Sequence, residues 1–166
     1  MTFPERRNGV KRAFSATLWL VLKLTTEFCL GGGLYFAIET VFRLIRHHAP
    51  PLPHVFFLGG GAFLLGVLLW RLPLPRKVRV LVLPLFGFGV LTAYEYFFGL
   101  YFLTFHGLRI WNYTGCPHEY RGLICLKFSL CWGALMWLIL AIDALIERLL
   151  ARTPLSFANI FAKRTT

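Results

Sequence analysis

Apolar residues dominate four stretches of the chain, about 27–45, 54–71, 79–103 and 122–146, and polar residues collect between them. Each stretch is long enough to approach the roughly 30 Å hydrocarbon thickness of a bilayer at about 1.5 Å per helical residue. The length of the runs predicts helices, since barrel strands would alternate apolar and polar positions. The first run has an interfacial lead-in from about residue 13. The second, "HVFFLGGGAFLLGVLLWR", is short and rich in glycine. Pro84 is expected to kink the third or open its hydrogen-bond ladder. The predicted fold is all-α: an integral membrane four-helix bundle. It has a basic N-terminal segment, 1–16, a transmembrane domain, 17–146, and a basic tail, 147–166.

Composition supports this class. Of 166 residues, 57% are hydrophobic and only 15% charged, against about 25% charged in a soluble domain. The net charge of +11 does not point to nucleic acid. The basic residues form short clusters between apolar runs, and no nucleic-acid motif accompanies them. The clusters at 1–16, in "RLPLPRKVR" and after residue 146 outweigh those on the other side. Both termini are therefore expected in the cytoplasm, and the apolar first run reads as an uncleaved signal anchor. Trp19 and Trp70 would mark the inner boundary, and Trp111, Tyr113 and Tyr120 the outer one. The tail "RTPLSFANIFAKRTT" reads either as an amphipathic piece on the inner leaflet or as a solvated end. The expected location is the bacterial inner membrane.

Charges inside the apolar runs carry the candidate chemistry, because an ionisable group in hydrocarbon is costly unless paired, protonated or functional. Glu39 lies roughly 9 Å, Glu95 roughly 12 Å and Lys127 roughly 8 Å below the outer boundary on helical rise. These three are expected to gather in the outer half, with Arg121 and Arg43 above them and residues 106–121 as a lid. Either a fixed ion-pair network or a site for a lipid headgroup, proton or ion fits that cluster. Lys23, Glu27 and Asp143 fall near the inner boundary, within reach of water, and read as structural. Glycines at 31–33, 59–61, 66, 87 and 89 read as close-packing positions.

Other chemistry is weakly supported. The five histidines lie in or beside the outer connections without metal-ligand spacing, so neither a metal nor a cofactor is expected. Cys116 and Cys125 could pair if the outer side is oxidising. No Walker A sequence is present, so the chain is not itself an ATPase.

The outer connection carries a resemblance. "WNYT" at 111–114, followed by "GLICLKFSLCWG" at 122–133, resembles the W-[DN]-Y-S … G-x-I-x-L-x-x-S-x-x-W-G block of the type IV ABC-transporter (CmpB-like) membrane protein family, which the transmembrane protein 229 group shares. "GGGLYFAIE" and "TAYEYFFG" place glutamates where the family has them. The matching positions are Glu39, Glu95, Trp111, Asn112, Tyr113, Gly122, Ile124 and Trp132. Asn112 and Leu123 depart from the Asp and Arg of many bacterial members. The resemblance implies a transport-associated protein, permease-like or accessory, while the charge cluster itself allows a lipid-handling one. Its partners would be membrane lipids, a homo-oligomer or larger complex, and a separate ATPase. Glu39, Glu95, Lys127, Arg121, Trp111, Asn112 and Tyr113 are the candidate ligand- or ion-binding residues. A membrane enzyme acting on a lipid or lipid-linked substrate is the competing class, and a non-catalytic assembly protein the third.

Overall fold

The computed structural model describes residues 3–46 and 51–151. The chain forms α1 (Phe3–Arg46), α2 (His54–Trp70) and α3 (Arg76–His106), then a two-stranded ribbon and α4 (Leu126–Ala151). The ribbon pairs β1 (Glu119–Tyr120) antiparallel with β2 (Ile124–Cys125). Four helices thus make the all-α bundle that the apolar runs predict. The predicted tail segment beyond residue 151 lies outside the described residues.

Three helices are long and apolar enough to cross a membrane: Phe14–Ile45, Val80–His106 and Leu126–Leu150. The first differs from expectation. No break separates a lead-in from a span, and α1 runs unbroken for 44 residues. The second matches its predicted range but is too short to stand with these three. With 17 residues, α2 is only about 26 Å long.

Its burial explains why so short a helix is stable. Val55, Leu58, Ala62, Phe63 and Val67 of α2 are all buried, and α2 packs against α1, α3 and α4. It is the central helix, supported by protein rather than lipid over much of its surface. Prolines frame it. Pro53 stands at its N-cap with φ −55°, a value the pyrrolidine ring presets for helix entry. "RLPLP" ends it and leads into α3, which then continues through Pro84.

α1 reaches α2 across glycine. A Cβ on Gly59 would stand 2.9 Å from the Gly31 carbonyl oxygen and would overlap the Tyr35 side chain. Without side chains at 31 and 59 the two backbones approach closely, as small residues permit in membrane helices. α4 faces inward through Ser129, Trp132, Met136, Ile139, Asp143 and Ile146, all buried at alternating spacings of three and four. That is one helical stripe. Outside it, Leu130, Trp137, Leu138, Leu145 and Leu149 are exposed, as a lipid-facing surface requires.

Candidate functional site

The site begins with the connection between α3 and α4, residues 107–125. Asn112 folds its first part. Its Oδ1 accepts hydrogen bonds from the Thr114 amide (3.1 Å), the Thr114 hydroxyl (2.6 Å) and Arg109 Nη1 (3.3 Å), a side-chain mimic of a backbone turn. The Tyr113 amide donates to the Gly122 carbonyl at 2.9 Å, and the Leu123 amide to the Tyr120 carbonyl at 3.0 Å. Between the last two, Arg121 and Gly122 have φ of 54° and 65°, the positive pair that a type I′ turn needs. A Cβ on Gly122 would also lie 2.7 Å from both Arg109 Nη1 and Thr114 Oγ1. Two independent constraints therefore select glycine there.

Trp111 holds this folded connection on the bundle. Its indole Nε1–H donates to the Leu123 carbonyl at 2.7 Å, and its ring lies parallel to Phe98 with centroids 6.4 Å apart. Trp111 is buried and Tyr113 half-buried. This corrects the expectation of an outer aromatic belt: of its three members, only Tyr120 is exposed. The Cys116–Cys125 pair that an oxidising outer side would allow is not formed. All four cysteines are free thiols, and burial pushes the Cys125 thiol above its ordinary value.

Below the connection lies Glu95, 1% exposed. Each carboxylate oxygen takes one donor. The Tyr113 hydroxyl donates to Oε1 at 2.9 Å, and Trp132 Nε1–H donates to Oε2 at 2.9 Å. Aromatic packing fixes both donors. Trp132 stacks on Tyr35 at 5.3 Å, and Tyr113 stacks on Phe128 at 5.0 Å. Burial, followed by the Glu95 charge, pushes the Tyr113 phenol well above its ordinary value, so it remains a protonated donor. Among the described residues, no lysine, arginine or histidine forms an ion pair with Glu95.

The other sequence candidates divide. Glu39 pairs with Arg43 at 2.6 Å, and Arg43 Nη2 donates to the Ile110 carbonyl at 2.5 Å. That pair clamps the end of α1 to the connection. Lys127 does not join Glu39 or Glu95. It is exposed, with Nζ 5.8 Å from the Phe128 ring centre. Lys127 shares an exposed face with Cys131 and Ala134, since the inward stripe of α4 runs through Trp132. Arg121 is exposed too, its Nη1 3.4 Å from the Tyr96 hydroxyl. Trp132, Tyr35 and Arg43 were outside the candidate set. Trp132 was legible, because it belongs to the same sequence block as Trp111 and Tyr113.

A second charged cluster lies at the opposite end of the bundle, which carries the α2–α3 turn. Lys23 Nζ stands 2.5 Å from Glu27 Oε1, 2.6 Å from Asp143 Oδ1 and 3.3 Å from Glu147 Oε1. Arg71 Nη2 lies 2.6 Å from Glu147 and 3.8 Å from Asp143. Lys23 and Glu27 are 2% and 0% exposed, contrary to the expectation that they reach water.

An apolar groove runs between the two clusters, along α1, α2 and α4. It is shallow, with a cavity volume of about 30 Å³, and has Tyr35, Ile38 and Trp132 towards one end and Gly31 and Ile142 towards the other. Trp132 therefore belongs both to the groove wall and to the Glu95 site.

Three spanning helices around a buried fourth define an integral, multi-pass, all-helical membrane protein. Within that class, the chain matches the family described as "Putative ABC-transporter type IV" over residues 26–165 and belongs to it. No curated protein and no solved structure matches the chain.

Proposed function

We propose that the chain is a transport-associated, lipid-handling membrane subunit whose groove takes an acyl chain of a membrane lipid. The carrying observation is the shared wall. Trp132 lines an apolar groove and also holds Glu95, so an apolar channel adjoins a built polar site. Apolar concavities with a few convergent polar groups are the usual form of a ligand site. The groove is continuous with the lipid-facing surface, because Leu34 and Ile38 on its wall are themselves exposed. At its Trp132 end, the Glu39–Arg43 pair meets the headgroup, and the buried Glu95 carboxyl fixes Trp132 and Tyr113 behind it. Exposed Arg121 and Lys127 extend that polar rim, while Trp111, Asn112 and Tyr113 hold it in shape.

The end carrying the α2–α3 turn faces the cytoplasm, in keeping with its heavier basic load, and the membrane is the bacterial inner one. With no Walker A sequence of its own, the subunit draws energy from a separate ATPase within a larger or homo-oligomeric complex. Native mass spectrometry of protein purified from membranes tests the binding claim. The wild type retains a stoichiometric lipid, and Leu138→Trp, which fills the groove from its exposed side, loses it. Retention by the filled variant contradicts the reading.

A further inference from the structure

The Lys23 cluster holds more carboxylate than cation. Lys23, Glu27 and Asp143 have side chains only 3%, 0% and 6% exposed. One ammonium faces two carboxylates there, a surplus of one negative charge. Arg71 and Glu147 do not correct it. They pair with each other at 2.6 Å, half-exposed at 50% and 48%, and so cancel at the rim. An uncompensated charge buried this deeply is strongly unfavourable.

Glu27 shows where the imbalance falls. Lys23 directs its hydrogen bond to Asp143 Oδ1 at 2.6 Å. It also forms an ion pair with Glu27 Oε1 at 2.5 Å, while Glu27 Oε2 has no hydrogen-bond partner among the described residues. One oxygen of a fully buried carboxylate thus lacks a donor, and Glu27 Oε1 and Asp143 Oδ1 meet the same Lys23 Nζ at 2.5 and 2.6 Å, which makes the two carboxyls neighbours. Among the described residues, no group of three or more His, Cys, Asp or Glu is placed to hold a metal ion.

We propose that Glu27 and Asp143 share one dissociable proton, which makes this cluster a proton-binding site inside the membrane protein. A proton from water at the α2–α3 turn passes the Glu147–Arg71 rim and forms an O–H bond on one carboxylate. That hydroxyl donates to the other carboxylate, and the buried charges then balance: Lys23 against one remaining anion. Release breaks the O–H bond and returns the proton to the same water. The charged groups meeting there are Lys23 and Glu27 from α1, Arg71 after α2, and Asp143 and Glu147 from α4. The site also borders the groove. Glu27 is one helical turn from Gly31, and Asp143 follows Ile142. Deprotonation sets two like charges on α1 and α4 against each other at that end, which favours a wider groove. The proposal does not depend on lipid binding.

Infrared difference spectroscopy on the full chain in lipid nanodiscs, stepped in pH, tests it. The wild type shows the carbonyl stretch of a protonated carboxyl. Glu27→Gln and Asp143→Asn each remove it, Glu95→Gln leaves it, and added sodium or potassium does not change it. Glu27→Gln removes the surplus charge while keeping the shape, so it retains the wild-type melting temperature. A band that survives both cluster variants overturns the proposal. So does a band bleached by sodium or potassium, which would make the occupant a metal cation. A large fall in the melting temperature of Glu27→Gln also overturns it, since both carboxylates would then be needed as anions.

Discussion

The Tyr113 hydroxyl donates to Glu95 Oε1 at 2.9 Å across 18 residues of sequence, fastening the α3–α4 connection to a buried point on α3. Removing it leaves a buried carboxylate oxygen without a partner, at a cost of about 1–3 kcal/mol. Tyr113→Phe therefore lowers the thermal stability of the detergent-purified protein. The loss is smaller in a Glu95→Gln background, because the two residues act as one unit.

Trp132 has two separable roles. Trp132→Phe keeps the ring against Tyr35 but removes the donor to Glu95 Oε2, and is expected to cost about 1–3 kcal/mol. Trp132→Ala also empties a core position and should cost about 3–5 kcal/mol. Chemical denaturation of the two variants separates hydrogen bond from packing.

Gly122→Ala forces a side chain into a left-handed backbone and against Arg109 and Thr114. The backbone alone costs about 1–2 kcal/mol. Gly89→Ala is the control, since nothing lies within 4 Å of its added Cβ and alanine favours a helix. Gly122→Ala lowers the melting temperature, whereas Gly89→Ala leaves or raises it.

The two lysines in the spans should respond oppositely. Lys23→Met strips the buried Glu27–Asp143 pair of its cation, a loss of about 3–5 kcal/mol by analogy with broken buried ion pairs. Lys127→Ala removes an exposed side chain and leaves the melting temperature unchanged. Comparable losses in both would contradict the placement of Lys127 outside the Glu95 site.

Legibility followed the range of the interactions. Uninterrupted apolar length marked the helices, and the grouped Trp, Asn, Tyr and Gly of the α3–α4 connection marked the block that surrounds Glu95. The depths of Glu39, Glu95 and Lys127 were also readable, but depth does not fix a face. Lys127 sits five positions from Trp132, roughly 140° around the helix at 3.6 residues per turn, so one inward tryptophan turns the lysine outward. The Lys23–Asp143 pair spans 120 residues of sequence. Its burial depends on how α1 meets α4, which neither segment encodes alone. Likewise, the short glycine-rich run looked like a marginal span, and only its partners reveal a central helix.

Labelling with a phospholipid bearing a photoactivatable acyl chain, followed by mass mapping of the crosslinks, tests the lipid groove most directly. The account predicts crosslinks concentrated on Leu34, Ile38, Leu135, Leu138 and Ile142, and lost from these positions in Leu138→Trp. Labelling of these residues no stronger than that of Leu81 and Leu85, which lie exposed on α3, would contradict it.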